Sequence, residues 1–366
     1  MIKLLIIIPT LETGGAERQV LYLMQGLDRN KFEVHLCLLK KGGLFETKLP
    51  DHVIRFYLPN YKKLLKSTGI LKKYILEHNI QLVHSFLGPT NAFITALKFS
   101  PGKKSLLITS QRGIHYSYFN KWTILSFVSH RAADWVIANS KATSDNCSNF
   151  LKIKKEKIAI IPNGIDDDYF QIRHNKARKQ EHQFEPAPPL ILTVGRFDRL
   201  KGHQLILEAC RQLLKSGSTL NLALVGDGPL KKQLEHSLVS IDSSKIQFFG
   251  KTLDVARYLE MADLFCLATY SEGFSNVLLE AMAAGVPVIT TSIPANLEII
   301  RHRETGLLVP PGDVPALIEA INYALDNPKQ MAQMAQQAKE YVQQQFTVKK
   351  MVQRFEEKYQ QLIGSQ

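Results

Sequence analysis

The sequence predicts an α/β protein of two doubly wound domains, each a parallel sheet with helices on both faces, and three observations carry the prediction. Short runs rich in Val, Ile and Leu recur along the chain with helix-patterned segments between them. Such alternation is the mark of βαβ units whose strands are buried on both sides. It stops once, in a polar and then Pro-rich stretch from Gln171 to Pro189, and restarts beyond it. The chain of 366 residues is too long for one ordinary core and suits two.

The first expected strand, Leu4–Ile8, ends at Pro9. A signal peptide is the other reading of this run behind Lys3, but the run is short and lacks a small-residue cleavage site. Glu33–Leu39, Val53–Tyr57, Leu82–Ser85, Leu106–Thr109, Trp135–Ala138 and Ile158–Ile161 follow. Helix patterns at Ala16–Gly26, Leu64–His78, Asn91–Phe99 and Trp122–Ala133 separate most of them. Beyond the break come Leu190–Val194, Leu220–Val225, Ile246–Phe249, Leu264–Leu267 and Val288–Thr290. Near the end, Val348, Met351, Val352, Phe355 and Tyr359 recur at close to helical spacing. The expected division is a first domain over residues 1–170 that also takes the terminal helix 347–366, a linker over 171–189, and a second domain over 190–346. These Rossmann-like domains would face each other across a cleft. In open α/β sheets ligands bind beyond the carboxyl ends of the strands, so the loops that follow strands are where chemistry is sought.

Composition narrows the class. An apolar content of 45% excludes disorder as the main state. No apolar run reaches the roughly 18 residues of a membrane-spanning helix. Cys37, Cys147, Cys210 and Cys266 lie far apart and form no C-x-x-C, so neither a zinc site nor a disulfide framework is expected and a cytoplasmic location is. The net charge of +13 is one-sided: residues 1–165 carry 24 Lys and Arg against 10 Asp and Glu, and the remainder 22 against 23. A basic first half suits nucleic acid, an anionic membrane or a phosphorylated substrate, and a solvated surface without a partner is the other reading.

Two loops carry the chemistry. Gly195-Arg196-Phe197-Asp198-Arg199-Leu200-Lys201-Gly202 follows the first strand of the second domain and opens a helix. Cations at a strand end beside free helix N–H groups make an anion site, with Arg196 able to grip a phosphate bidentately and Lys201 adding a point charge. The second loop runs Ser271-Glu272-Gly273-Phe274-Ser275-Asn276-Val277 and leads into Leu278-Leu279-Glu280-Ala281-Met282. Glu280 lies in an otherwise apolar stretch and so needs a partner, for which a ribose diol is one good solution. The backbone N–H groups of Asn276 and Val277 would point at a phosphate. Near the N-terminus, Gly14-Gly15 lets the chain turn sharply and approach a ligand closely, or is simply a tight turn.

Glu272 and Glu280 with seven residues between them resemble the E-x7-E motif of the retaining GT-B glycosyltransferases, and most nearly those of glycosyltransferase family 4. Thr13-Gly14-Gly15-Ala16-Glu17-Arg18, Ile161-Pro162-Asn163-Gly164-Ile165-Asp166, Gly195-Arg196 with Lys201, Val225-Gly226-Asp227-Gly228-Pro229 and Gly306-Leu307-Leu308-Val309-Pro310 fit the same family in the same order. The similarity spans essentially the whole chain and is strongest between about residues 190 and 313. It implies that Glu272 contacts the donor sugar, Glu280 the nucleotide ribose, and Arg196 and Lys201 the diphosphate. It extends the donor site to Gly14, Gly15, Gly195, Gly273, Phe274, Ser275, Asn276 and Val277.

The chain also departs from that family. Where many members carry a His directly after the strand Leu106–Thr109, this chain has Ser110-Gln111-Arg112-Gly113-Ile114-His115. Arg112 and Arg18 are taken as contacts to an acceptor, and either His115 or His84 as the polar contact to the transferred sugar. The family's Gly pair before Glu298 is replaced by Pro294-Ala295-Asn296. Asp166-Asp167-Asp168 contains a formal D-x-D, read as turn and helix capping rather than a metal site.

The expected activity is therefore transfer of a sugar from a nucleotide diphosphate donor, UDP-linked, to an acceptor hydroxyl. The nucleotide sugar is a co-substrate, and neither cofactor nor metal is required. The acceptor is expected to be a lipid-linked or anionic saccharide, with the protein peripheral on an anionic membrane surface through its basic half. Lys62, Lys63, Lys66, Lys72 and Lys73 around Leu64 and Leu65, and Tyr116, Tyr118, Phe119 and Trp122 near Lys121, mix cations with apolar side chains as interfacial segments do. A sugar-nucleotide 2-epimerase on the same fold and a non-enzymatic nucleic-acid-binding protein are the rivals. The latter leaves Glu272 and Glu280 without a purpose, and no nucleic-acid partner is expected.

Overall fold

The computed structural model describes residues 1–59, 61, 63–100, 102, 105–114, 121–175, 184, 188–238 and 244–365. They form two compact units: Met1–Gly164 with Val348–Gln366, and Ile165–Thr347.

The first unit is built on β1 (Ile2–Ile8), β2 (Phe32–Leu38), β3 (Ile54–Tyr57), β4 (Leu82–Phe86), β5 (Leu106–Gln111), β6 (Trp135–Ala138) and β7 (Ile158–Ile160), in the order β3-β2-β1-β4-β5-β6-β7 and all parallel. Leu4 to Ile8 are wholly buried because successive side chains leave opposite faces of the sheet and both faces are covered. Leu4, Ile6 and Ile8 enter one core, Leu5 and Ile7 another.

The second unit repeats the plan with β8 (Leu190–Val194), β9 (Asn221–Val225), β10 (Ile246–Phe249), β11 (Leu264–Leu267), β12 (Val288–Thr291) and β13 (Leu307–Val309), in the order β10-β9-β8-β11-β12-β13. Leu190, Leu192 and Val194 face one core while Ile191 faces the other. Strand β13 was not expected. Three apolar residues between Gly306 and Pro310 are too few to show a period, and only pairing with β12 reveals them as a strand.

In each sheet the order reverses beside the first strand. β8 lies between β9 and β11, so the loops that leave β8 and β11 emerge side by side.

The first unit is closed by the last part of the chain. Helix Val348–Gly364 buries Met351, Val352, Phe355, Tyr359 and Leu362 in the first unit's core. It runs against helix Gly15–Gly26, and a β-carbon on Gly26 would fall 2.6 Å from a Val352 methyl, so any larger residue there would have to displace Val352. The chain leaves the first unit between Gly164 and Ile165, ahead of the expected boundary at residue 170, because Tyr169 and Phe170 bury in the second core. Of the expected linker, residues 176–183 and 185–187 lie outside the described residues, and Phe184 joins the second core.

Candidate active site

In the second unit the two loops singled out by sequence are neighbours, and named bonds tie them together. The Leu200 carbonyl accepts from the Thr269 hydroxyl at 2.8 Å and from the Tyr270 N–H at 2.7 Å. Asp198 turns its carboxylate onto the N–H groups of Leu200 and Lys201, at 3.0 and 3.2 Å, and so sets a short 3-10 turn over Arg199–Lys201. Gly202 then takes a φ of +64, and a β-carbon there would lie 1.9 Å from the Ala268 carbonyl. Both the left-handed backbone and the contact call for glycine.

The result is a direct ion pair between the loops: Lys201 Nζ stands 2.6 Å from Glu272 Oε1, with Lys201 25% and Glu272 9% exposed. A carboxylate so withdrawn from water is costly unless paired, and Lys201 supplies the partner. Arg196 differs. Its side chain is 72% exposed and meets Asp198 only at 3.9 Å, a separation at which little energy holds it. Gly195 directly follows β8, and its N–H donates to the Val225 carbonyl at 3.0 Å.

Beyond Glu272, Gly273 is buried and Phe274 turns its ring into the core against Phe346, centroids 5.6 Å apart, so that this residue offers the site its backbone. Ser275 occupies the N-cap of helix Asn276–Ala283; its buried hydroxyl makes no hydrogen bond among the described residues. Asn276 and Val277 form the first turn with half-buried side chains, and Glu280 follows on the same helix, fully buried. A helix start with its N–H groups, an exposed guanidinium and a lysine thus share one strand-end region, which can bind and stabilise a polyanion.

Three residues that the sequence did not flag support this arrangement. Asp198 acts as a cap, for which the one readable signal was an acid three positions before Lys201. Thr269 acts through a contact 69 residues away, which no local pattern reveals. His203, buried behind the loop, lies edge-on to Phe197 at 4.8 Å. Neither of its ring nitrogens has a hydrogen-bond partner among the described residues, and burial, with Lys201 nearby, pushes its pKa down to about 3. The Pro294-Ala295-Asn296 replacement also has a structural account. The buried Asn296 amide donates to the Thr290 hydroxyl and to the Thr291 carbonyl, both at 2.9 Å, and so fixes that loop to the end of β12. Asp166 accepts from the Asp168 N–H at 3.1 Å, which is turn capping.

The expected residues of the first unit divide. Gly14 is the N-cap of helix Gly15–Gly26, and a β-carbon on it would strike the Glu17 carboxylate at 2.0 Å. The close approach that this glycine permits is therefore made at least by Glu17. Gly15 is exposed and Arg18 half-buried on the first turns of that helix. His84 is fully buried, its ring nitrogens engaged by the Tyr359 hydroxyl at 2.6 Å and the Ser110 hydroxyl at 2.8 Å, and desolvation holds its pKa well below the ordinary range. A neutral ring with both nitrogens occupied joins the terminal helix to the sheet and is not offered to a ligand. Arg112 points inward: its Nη1 donates to Asn163 Oδ1 at 2.5 Å, its guanidinium lies 5.2 Å from the Phe86 ring, and burial lowers its pKa to about 10. Beside it, the Gln19 side chain exchanges two hydrogen bonds with the Gly164 backbone, at 2.9 and 2.8 Å. Arg112 and Gln19 together clasp the Asn163-Gly164 turn. His115, Tyr116, Tyr118, Phe119 and Lys62 lie outside the described residues. In helix Leu64–Glu77, Leu65 is 85% exposed, beside exposed Lys63, Lys66 and Lys73.

Residues 13–169 match the family described as Glycosyltransferase Family 4 and residues 175–341 that described as Glycosyl transferases group 1. The chain is 28% identical over 359 residues to the N-acetylgalactosamine-N,N'-diacetylbacillosaminyl-diphospho-undecaprenol 4-alpha-N-acetylgalactosaminyltransferase of Campylobacter jejuni, a match spanning 90% of this chain and 92% of that one. It is 22% identical to the UDP-Gal:alpha-D-GlcNAc-diphosphoundecaprenol alpha-1,3-galactosyltransferase of Escherichia coli, over 96% and 94% of the two chains. Among solved structures, Anabaena HepE in complex with UDP superposes with a TM-score of 0.83 at 21% identity, covering 99% of this chain and 100% of that one. Sucrose-phosphate synthase of Thermosynechococcus elongatus gives 0.83 at 21%, covering 100% of both. At such identity the superpositions speak for the fold, which is the GT-B arrangement of two parallel sheets.

Proposed function

We propose that this chain, which belongs to the family 4 and group 1 glycosyltransferases, transfers a sugar from a UDP-linked donor to a hydroxyl of a lipid-linked saccharide, with retention at the anomeric carbon. The observation that carries the reading is the convergence of Arg196, Lys201 and the start of helix Asn276–Ala283 where β8 and β11 lie side by side. As the bond between sugar and diphosphate breaks, negative charge grows on the departing oxygens. Cations and N–H groups already aimed there stabilise it without a metal. Glu272 takes the sugar hydroxyls and Glu280 the ribose diol, both as hydrogen-bond acceptors. Catalysis then rests on leaving-group stabilisation and positioning rather than on a protein nucleophile.

The names of the Campylobacter and Escherichia relatives, both acting on diphospho-undecaprenol saccharides, favour a lipid-linked acceptor. The basic first unit favours a peripheral position on an anionic cytoplasmic membrane face, with Leu65 among exposed lysines as one contact.

Two measurements test the reading. A thermal-shift screen of nucleoside diphosphates and their sugars is expected to give stabilisation by uridine compounds, since a ligand of the folded state raises stability by mass action. Turnover is expected only with acceptor present; donor consumption without acceptor would favour an epimerase. For the membrane contact, sedimentation with anionic vesicles should be reversed by salt and weakened by Gln at Lys63, Lys66 and Lys73. Lack of binding to any vesicle would leave a soluble acceptor.

A further inference from the structure

The distance between Lys201 and Glu272 leads beyond a list of donor contacts. We propose that the Glu272 carboxylate occupies the lysine's anion position until a diphosphate arrives, and that it is passed to the sugar only by that exchange. The inference rests on the donor reading above, which assigns the diphosphate to Lys201 and the sugar to Glu272.

Among the described residues, Lys201 Nζ is bonded by Glu272 Oε1 at 2.6 Å, and the carboxylate is almost out of water. The backbones on both sides are fixed: Asp198 holds the Leu200 and Lys201 N–H groups, and Thr269 and Tyr270 hold the Leu200 carbonyl. The two side chains therefore meet by design of the loops, and what can move is the side chains themselves. A diphosphate entering beside Lys201 brings at least two negative charges close to a third. At a carboxylate only 9% exposed the repulsion is screened less than it would be in open water. Arg196, exposed and loosely held, can swing onto the diphosphate to complete its neutralisation, but it does nothing to satisfy Glu272. Sugar hydroxyls do, because they are hydrogen-bond donors and carry no charge.

Two consequences follow. A free monosaccharide meets a Glu272 already engaged and binds poorly, and a nucleoside diphosphate without its sugar leaves Glu272 displaced with no new partner. Only the intact donor satisfies both groups. Specificity for the joined molecule thus comes from one ion pair that must be traded, not from a larger number of contacts.

The experiment is calorimetric titration of UDP into the whole wild-type protein and into Glu272→Gln, with the melting temperature of each as a fold control. The amide keeps the side chain's shape and withdraws the competing charge. UDP is expected to bind Glu272→Gln about two- to fivefold more tightly than wild type, the size of an ion pair's contribution of up to about 1 kcal/mol. UDP-sugars should gain less or lose affinity. Equal or weaker UDP binding by a folded Glu272→Gln overturns the exchange. A second measurement needs no variant: titration of glucose, galactose and their N-acetylamino forms with and without saturating UDP. Binding of at least one of them should be strengthened by UDP, and by linkage that sugar should strengthen UDP. Independence of the two ligands overturns the exchange as well. If wild type bound no nucleotide at all, the donor reading itself would fall, a result distinct from either.

Discussion

The Thr269 hydroxyl donates to the Leu200 carbonyl at 2.8 Å. The Thr269 carbonyl in turn accepts from the Thr291 hydroxyl at 2.5 Å, and the Thr291 carbonyl accepts from Asn296. The end of β12 and the loops that follow β11 and β8 are thus linked by side-chain to backbone bonds in a chain that stops one residue before Lys201.

Thr269→Val keeps the side chain's shape and removes the first of these links. It should lower kcat about tenfold with little change in donor KM, because Lys201 then sits less well where charge develops. Thr269→Ser should restore the rate. In a Lys201→Met background Thr269→Val should have no further effect, and additivity of the two would mean that Thr269 acts elsewhere.

Lys201→Ala should reduce kcat on the order of 10²-fold, the usual cost of losing one preorganised group facing a developing anion, and Arg196→Ala, which removes a cation that must first swing onto the diphosphate, should reduce it less. Donor KM should move much less. Steady-state kinetics with saturating acceptor decides: an effect on KM alone would make both groups ground-state binders.

Glu280→Gln should weaken UDP by about 1–3 kcal/mol, the worth of a hydrogen bond to a charged acceptor. Its titration against UDP should therefore move in the direction opposite to that of Glu272→Gln. Movement of both in one direction would remove the division of roles between sugar and ribose.

Activity should survive excess EDTA, and Asp167→Ala should leave it nearly unchanged, since Asp166 acts as the cap and Asp167 begins the turn. Loss with EDTA, reversed by magnesium or manganese, would reassign the Asp166–Asp168 run to a metal.

Acid should destabilise the second unit through His203. Its folded pKa of about 3 lies below an unfolded value near 6.5, so the unfolded chain takes up the proton first. The stability this group confers is complete above about pH 6.5 and is lost progressively as pH falls toward 3. Across that range of about 3.5 pH units its full loss is on the order of 5 kcal/mol. His203→Leu removes a buried ring whose nitrogens lack partners, so at pH 7 it should unfold at or above the wild-type temperature. Its melting temperature should also fall less steeply between pH 7 and 4.5. An unchanged slope would place the acid sensitivity on His84 and the first unit.

The strands were legible in the sequence because burial on both faces leaves nothing polar in a run such as Leu4–Ile8 or Leu190–Val194. Arg196, Lys201, Glu272 and Glu280 were legible because they stand on loops after strands or in apolar surroundings where a charge is out of place. Arg112 was read as an acceptor contact and His84 as one of two candidates for the sugar contact, from their places at the ends of strands. The sequence could not tell that Asn163, Tyr359 and Ser110, all distant along the chain, supply their partners. Thr269 is the opposite case. A threonine at a strand end is unremarkable by composition, and only the reversal of strand order between β8 and β11 gives it something to hold.

The bond between His84 and Tyr359 spans 275 residues, and it dates the completion of the first unit. Ile165–Thr347 is continuous and holds every strand of its own sheet, so this unit can fold on the ribosome as soon as it emerges. The first unit, begun earlier, waits with its core open until Phe355 and Tyr359 have been made, two of the largest side chains it buries. During that interval its apolar strands are exposed to chaperones and to aggregation. A stop codon shortly before Val348 would therefore spare the later half of the protein and cripple the earlier one.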